Sequence, residues 1–263
     1  MTYLRNGNNR PGVVLQPRDR KLLQELAVMR VIDRDQAKRV ASFGSTTQVN
    51  ARLLRLTRAG LLRRFFLGTK GGGQKAIYAL SQAGAKLVDV PFRGPRRRNN
   101  EVIVADFFVA HQFAINEIYC DLKYRPIPIP EAKFEKWISF NKPLDSRTRL
   151  IPDGYIDIRT PQRTLAAFLE VDLGNEGLSV WKRKVESYLQ YAISGEFEKQ
   201  FGQLQFRVLV IANTARRTRS LHAATLSLTD KIFWFSTFDS IAQTGFWSPV
   251  WVHGLIGERQ PLL

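Results

Sequence analysis

Cysteine and histidine are scarce in this sequence, which has one cysteine, Cys120, and three histidines. A single cysteine cannot form a disulfide within the chain, and it indicates a reducing compartment. It also argues against a cysteine-based zinc site, which needs several thiolates. Neither His222 nor His253 has acidic or cysteine neighbours at ligand spacing. No Ser-His-Asp or Cys-His combination can be recognised, and the histidine triad with a catalytic tyrosine that marks relaxases is absent.

Long apolar runs are also missing. No stretch approaches the roughly 20 apolar residues that a membrane-spanning helix needs. The first residues, MTYLRNGNNRPG, are polar and do not resemble a secretory signal. We therefore expect a cytoplasmic protein with no membrane partner.

Acidic residues are few in the first hundred positions, where basic residues are many. Residues 1–100 hold 21 Lys and Arg against 5 Asp and Glu, a net charge of +16, whereas residues 101–263 hold 19 against 18, a net charge of +1. Such a basic field binds polyanions, of which nucleic acid is the commonest. The break in charge predicts two domains, 1–90 and 101–263, joined by a basic linker over 91–100 with the sequence PFRGPRRRNN.

The pattern of the first domain is three helices followed by a hairpin. Its predicted elements are helices over 17–30, 33–42 and 45–59 and strands over 61–67 and 76–80. Asp33 is a candidate N-cap of the second helix, and Ser45 or Thr46 of the third. The glycine-rich segment GTKGGGQK forms the turn between the strands. This order is typical of a winged helix-turn-helix, whose third helix enters the major groove of DNA.

The predicted third helix has an apolar face and an outward face that includes Arg52. We expect Asn50 and Arg52 to reach base edges, and other basic residues to contact phosphates. The candidate DNA-binding residues are Thr47, Gln48, Asn50, Arg52, Arg55, Arg58, Lys70, Lys75, Arg96, Arg97 and Arg98. The alternatives are a solvated helix face, a protein-interaction module and, for the linker arginines, an ordinary tether.

In the second domain, strands alternate with helices, which indicates an α/β sheet with helices packed on it. The predicted helices cover 102–124, 176–194 and 216–226, and the predicted strands cover 133–140, 154–158, 165–171, 206–212 and 231–236.

Acidic residues interrupt two apolar strands of this domain. Asp153 begins one strand, in IPDGYID, and Glu170 and Asp172 lie near the end of the next, in AAFLEVDLG. Carboxylates of adjacent strands can converge on a hard cation such as Mg²⁺ or Mn²⁺, and a nearby lysine can stabilise developing negative charge. Lys182 and Lys184 lie on the following helix. The alternative is that these acids are solvated or cap a helix.

The order and spacing of these motifs resemble the replication-relaxation family of bacterial mobile elements. The likeness covers most of the chain: PRDRKLLQELAVMR through IYALSQAGAKLV, then His111 and Asn116 in HQFAIN, then PDG and FLEVDLGNEGL…KRKVESY. It implies a winged helix followed by a restriction-endonuclease-like domain of the PD-(D/E)XK type, so that the fold is α/β in its second domain and α+β overall. For His111 we expect a packing role on its helix.

The nuclease pattern, carried over residue by residue, implies metal ligands at Asp153 and Glu170 and an Mg²⁺ or Mn²⁺ cofactor. Where the pattern expects lysine, this chain has Asp172, so Lys184, or else Lys182, would supply the positive charge. Asp172 is then either a further ligand or the mark of a lost lysine.

The resemblance therefore implies a protein that binds double-stranded DNA in plasmid or mobile-element replication or processing, with metal-dependent nicking or cleavage as one expectation. A non-catalytic replication or transcription factor with a degenerate nuclease fold is the alternative. Expected partners are DNA, replication or mobilisation proteins and a second copy of the chain, and the expected location is the nucleoid or a plasmid.

Overall fold

The computed structural model describes residues 2–4, 13–68, 73–93, 100–103, 107–255 and 257–263. The chain divides into two compact units, one up to Tyr124 and the other from Arg125 onward. The elements of the first unit are β1 (Thr2–Leu4), β2 (Val13–Leu15), α1 (Pro17–Met29), β3 (Val31–Asp33), α2 (Arg34–Val40), α3 (Thr46–Arg58), β4 (Leu62–Gly68), β5 (Gln74–Leu80), α4 (Gln82–Leu87), β6 (Val102–Ile103) and α5 (Phe107–Tyr124).

The helices of the first unit begin where short polar side chains can satisfy their first N–H groups. The Asp33 carboxylate accepts a hydrogen bond of 2.8 Å from the N–H of Gln36 at the start of α2. The Ser45 hydroxyl accepts one of 3.2 Å from the N–H of Gln48 at the start of α3. Both predicted caps are confirmed, and the three predicted helices are present with shifts of a few residues at their ends.

Four strands of the first unit form a sheet in the order β3-β5-β4-β6. The predicted hairpin is its centre, because β4 and β5 pair antiparallel from Leu62–Leu80 to Gly68–Gln74. The flanking strands β3 and β6 are short and were not predicted. The helices and the hairpin lie where the sequence predicts them, while the classification as a winged helix stays a prediction.

Helix α5 differs from its prediction at its start and in the unit that it joins. The sequence predicts a helix from residue 102, but Val102 and Ile103 form β6, which pairs parallel with β4. β-Branched residues favour extended backbone, which explains the later start of the helix. Helix α5 packs against α2 and β3 of the first unit, whereas the break in charge predicts a second domain that begins at residue 101.

A mixed seven-stranded sheet forms the second unit and confirms the predicted α/β class, with the order β13-β12-β11-β10-β9-β8-β7. Its elements are β7 (Lys133–Ile138), β8 (Gly154–Arg159), β9 (Thr164–Asp172), α6 (Leu178–Ile193), α7 (Glu196–Phe201), β10 (Arg207–Ala212), α8 (Ala215–Leu226), β11 (Phe233–Thr237), α9 (Phe238–Thr244), β12 (Trp251–His253) and β13 (Arg259–Gln260). Strands β9, β10 and β11 are parallel, and the other neighbours are antiparallel.

An aromatic core joins one face of this sheet to α6, α7 and α8. Phe168 of β9 is fully buried among the rings of Tyr155, Tyr188, Phe197 and Phe206. Each such ring removes a large apolar area from water, so the cluster holds the helices firmly on the sheet. The same face carries the acidic residues near the carboxyl end of β9.

Candidate functional site

The outer face of α3 is the candidate DNA-binding surface of the first unit. The helix buries Val49, Leu53 and Leu56 completely against the rest of the unit. Its exposed polar side chains include Thr47, Gln48, Asn50, Arg55 and Arg58. Five of the six α3 residues that the sequence selected for DNA contact therefore face solvent.

Arg52 is the exception, and the prediction that it points outward is wrong. Its side chain is 8% exposed. Its Nε donates to Oδ1 of Asp19 at 2.7 Å, and its Nη2 donates to Oδ2 of the same carboxylate and to the carbonyl of Val14. This bidentate pair joins α3 to α1. Arg52 is thus a structural residue and cannot reach a base edge.

The remaining DNA-contact candidates lie on the hairpin and the linker. Lys75 on β5 is half-exposed and forms an ion pair with Asp33, the residue that caps α2. Its ammonium also lies 5.5 Å from the centre of the Phe113 ring. Lys70, Arg96, Arg97 and Arg98 lie outside the described residues.

Asp153 and Glu170 lie near each other in the second unit, since the charge of Asp153 raises the pKa of Glu170. Strands β8 and β9 pair antiparallel with Gly154 opposite Leu169, and the register continued by one position puts Asp153 opposite Glu170. Opposite residues of an antiparallel pair project from the same face. Asp153 is fixed there because its Oδ2 accepts a hydrogen bond of 2.7 Å from the N–H of Val171.

Glu170 lies at the centre of a hydrogen-bonded cluster. Its Oε1 accepts a hydrogen bond of 2.7 Å from the hydroxyl of Tyr188, and its Oε2 lies 3.1 Å from Nζ of Lys184. Lys184 also lies 3.0 Å from Oε2 of Glu176. Tyr188 and Lys184 are one turn apart on α6, so one helix face delivers both groups.

The surroundings of this cluster shift the pKa values of Glu170 and Lys184. Burial raises the pKa of Glu170 to about 7, an effect that the ammonium of Lys184 opposes and the carboxylate of Asp153 increases. For Lys184, burial alone would lower the pKa, but Glu170, Glu176 and Asp153 outweigh it and hold the pKa above its usual range. Lys184 is therefore a fixed cation beside a carboxyl group that titrates near neutral pH.

Asp172, two positions beyond Glu170, has a different partner. Both of its carboxylate oxygens accept hydrogen bonds from the guanidinium of Arg217 on α8, at 2.8 and 2.7 Å. Arg217 also donates to the carbonyl of Glu176 at 2.6 Å. The structure thus brings Glu170 and Lys184 together with Asp153, and holds Asp172 against Arg217. Lys182 is exposed.

The oxygen donors of Asp153 and Glu170 fit a hard cation. Within the described residues, no group of three or more His, Cys, Asp or Glu side chains is placed to hold a metal ion. Mg²⁺, however, is commonly held by one or two carboxylates together with waters and substrate phosphates. Asp153 and Glu170 meet that smaller requirement.

His111 and Asn116, which carried part of the resemblance, have structural contacts on α5. The ring of His111 stacks on Phe107, with ring centres 5.8 Å apart. Asn116 is buried, and its amide donates to the carbonyls of Met29 and Val31 at 3.1 and 2.7 Å. These bonds provide donors for the backbone carbonyl groups at the end of α1 and the start of β3. Asn116 therefore connects α5 to the rest of the first unit.

Helical spacing in the sequence already places Tyr188 on one face with Lys184, although it assigns Tyr188 no role at Glu170. The partner of Asp172 was missed by sequence reasoning. Arg217 lies 45 positions from Asp172, and no local pattern connects them.

Among the described residues, no helix is long and apolar enough to cross a membrane. A family model with the description replication-relaxation matches residues 23–205. No curated protein and no solved structure matches the chain.

Proposed function

Because this chain belongs to the replication-relaxation family, we propose that it acts in the replication or processing of plasmid or mobile-element DNA and binds duplex DNA through its first unit. The observation that carries this proposal is the outer face of α3. It presents Gln48, Asn50, Arg55 and Arg58 to solvent, in a region of the chain that holds nearly all of the net positive charge. Polar side chains of this kind can read base edges, and arginines can contact phosphates.

Binding through charge has a direct test in its salt dependence. Each phosphate contact releases condensed counterions, so affinity falls steeply as salt rises. We expect full-length protein to bind a labelled duplex with a strong salt dependence, measured by fluorescence anisotropy. Arg55→Gln and Arg58→Gln should each weaken binding and reduce the salt slope by about one. Arg219→Gln, which changes an exposed arginine of the second unit, is the matched control, and binding that ignores salt would contradict the proposal.

A second candidate function is metal-dependent cleavage of DNA at the carboxylate cluster. Its support is the proximity of Asp153 to Glu170, whose pKa Asp153 raises, with Lys184 3.1 Å from Glu170. Asp153 and Glu170 would hold Mg²⁺ or Mn²⁺, which when bound polarises a phosphate and lowers the pKa of a water.

The residues of the chain would have separate roles in that reaction. Lys184 is a cation that can stabilise the negative charge which develops on the phosphate. The Tyr188 hydroxyl keeps one oxygen of Glu170 in a fixed position.

The contacts of the same cluster also support a non-catalytic alternative. Both oxygens of Glu170 already accept hydrogen bonds, and Asp172 stands where the nuclease pattern expects lysine and is paired with Arg217. A buried network of this kind can serve structure alone. The protein would then be a DNA-binding replication or transcription factor.

Incubation with supercoiled plasmid separates the two candidates. Cleavage predicts nicked or linear product with Mg²⁺ or Mn²⁺, no product with chelator, and loss of turnover in Asp153→Asn and Glu170→Gln. Both variants should bind DNA like the wild type, because the proposed binding surface lies on α3. Plasmid that stays intact across several divalent metals would favour the non-catalytic factor.

A further inference from the structure

A cavity of about 140 Å³ lies at the edge of the seven-stranded sheet where β9 and β10 begin. These strands are parallel, so their first residues meet at one edge. The polar side chains of the lining are Arg163, Thr164, Gln205 and Arg207. Glu170 lies further along β9, about 17 Å from Leu165 at the usual rise of a strand. The cavity is therefore separate from the carboxylate cluster.

Arg207 is one of the lining residues, and two contacts hold its guanidinium in a fixed position. Its Nη1 donates to the carbonyl of Leu262 at 2.6 Å, and its central carbon lies 4.3 Å from the centre of the Trp234 ring. Trp234 in turn stacks on His253, with ring centres 4.5 Å apart and planes within 2°. A guanidinium carries five N–H donors. Within the described residues, the carbonyl of Leu262 is its sole hydrogen-bond acceptor, which leaves donors for a ligand.

Arg163 supplies a second positive charge to the same cavity. Burial and, to a smaller extent, the positive charge of Arg163 together lower the pKa of Arg207 to about 10. Within the described residues, no carboxylate forms an ion pair with either guanidinium. Two neighbouring cations without an acid repel each other. An anion that lies between the two side chains would remove this repulsion.

We propose that the cavity between Arg163 and Arg207 is a binding site for a phosphate group. Guanidinium groups bind phosphate oxygens through paired, charge-assisted hydrogen bonds. The Thr164 hydroxyl and the Gln205 amide add neutral donors to the same cavity. Because one phosphate can bridge both arginines, it relieves their mutual repulsion as it binds. The ligand class is a phosphate ester, carried either by a nucleotide or by the end of a nucleic acid strand.

Titration calorimetry of the full-length protein with inorganic phosphate tests the site, with ionic strength held constant by sodium chloride. We expect the wild type to bind phosphate, and Arg163→Gln and Arg207→Gln each to weaken the affinity about tenfold or more. Arg219→Gln, an exposed arginine of the same unit, should bind phosphate like the wild type.

A folding control keeps the test decisive. Arg207→Gln loses the contacts with Leu262 and Trp234 and can lower the stability of the protein. Because Arg163 is exposed, Arg163→Gln should have the same thermal midpoint as the wild type when both are measured without phosphate. Absence of phosphate binding by the wild type would overturn the proposal. So would equal affinities in the wild type and Arg163→Gln.

Two further ligands distinguish the sources of the phosphate. A nucleotide site predicts that a nucleoside triphosphate binds the wild type more tightly than Arg163→Gln. A strand-end site predicts that a 5′-phosphorylated duplex shows this difference and that the same duplex without the terminal phosphate does not. If Arg163→Gln affects neither ligand, the cavity is not a site for phosphate esters, even if the DNA binding proposed for α3 holds.

Discussion

The hydroxyl of Tyr188 donates a hydrogen bond of 2.7 Å to Oε1 of Glu170 in the core of the second unit. Both side chains are almost completely withdrawn from solvent. Since the partner is a carboxyl group that is ionised above neutral pH, this bond is stronger than a neutral one.

Tyr188→Phe should therefore lower the free energy of unfolding by about 1–3 kcal/mol, because it leaves a buried carboxylate oxygen without its donor. Urea denaturation at pH 8 measures the change. The matched control is Tyr191→Phe on the same helix, which removes a hydroxyl that donates to the neutral amide of Gln200. Equal losses in the two variants would contradict a special role for the bond to Glu170.

The raised pKa of Glu170 makes stability depend on pH. The pKa rises from 4.5 to about 7 on folding, chiefly through burial. Between these values the folded state binds more protons than the unfolded state, so the free energy of unfolding should fall as pH rises through this range. Glu170→Gln removes the titration and should flatten this part of the curve. Denaturation of both proteins from pH 4 to pH 8 tests it, and two parallel curves would refute the assignment.

Arg52 and Arg55 form a matched pair on α3 that separates folding from DNA binding. Arg52→Gln removes one partner of a buried ion pair and should lower the free energy of unfolding by about 3–5 kcal/mol. Arg55→Gln changes an exposed residue and should stay within about 0.5 kcal/mol of the wild type. Thermal and chemical denaturation measure both changes.

The DNA affinities of the same two variants complete the comparison. Arg55→Gln should weaken binding to duplex DNA while the circular dichroism spectrum stays that of the wild type. Arg52→Gln should bind duplex DNA with the affinity of the wild type under conditions in which the variant is fully folded. If Arg52→Gln folded normally and lost DNA contacts selectively, the structural role of Arg52 would be wrong.

Lys184 and Lys182 form a second matched pair, on α6. Lys184 lies 3.1 Å from Glu170 and lowers its pKa, whereas Lys182 is exposed. Lys184→Met should raise the pKa of Glu170 further and, if the cluster cleaves DNA, slow cleavage far more than Lys182→Met does. NMR titration of the Glu170 side chain and the rate of plasmid nicking check the two effects. An unchanged titration in Lys184→Met would contradict the electrostatic coupling.

Local patterns were sufficient for most elements of both units. Caps such as Asp33 and Ser45 act within three residues of their own position, so sequence alone can find them. Asp153 and Glu170 come near each other because β8 and β9 pair, and the sequence predicts both of these strands. The short strands β3 and β6 escaped prediction because two or three residues are too few to show an alternating pattern, and their pairing with β5 and β4 identifies them.

Errors arose where distant partners decide the outcome. Arg52 follows Val49 by three positions and precedes Leu56 by four, so helical spacing already puts it beside the buried face. The positive charge of Arg52 favoured an exposed position. Its side chain is buried because it pairs with Asp19, which lies 33 positions earlier in the sequence. Arg217 lies similarly far from Asp172, and the two come together because β10, which leads into α8, pairs with β9 so that Ala212 lies opposite Asp172.

The ion pair between Arg52 and Asp19 also fixes the rotation of α3 about its own axis. A bidentate contact resists rolling and sliding, because either motion breaks two charge-assisted hydrogen bonds at once. Thr47, Gln48, Asn50, Arg55 and Arg58 therefore keep one angular position relative to α1, before any ligand is present. A helix oriented in advance loses less conformational entropy when it docks. The buried arginine thus sets the alignment of the surface residues around it.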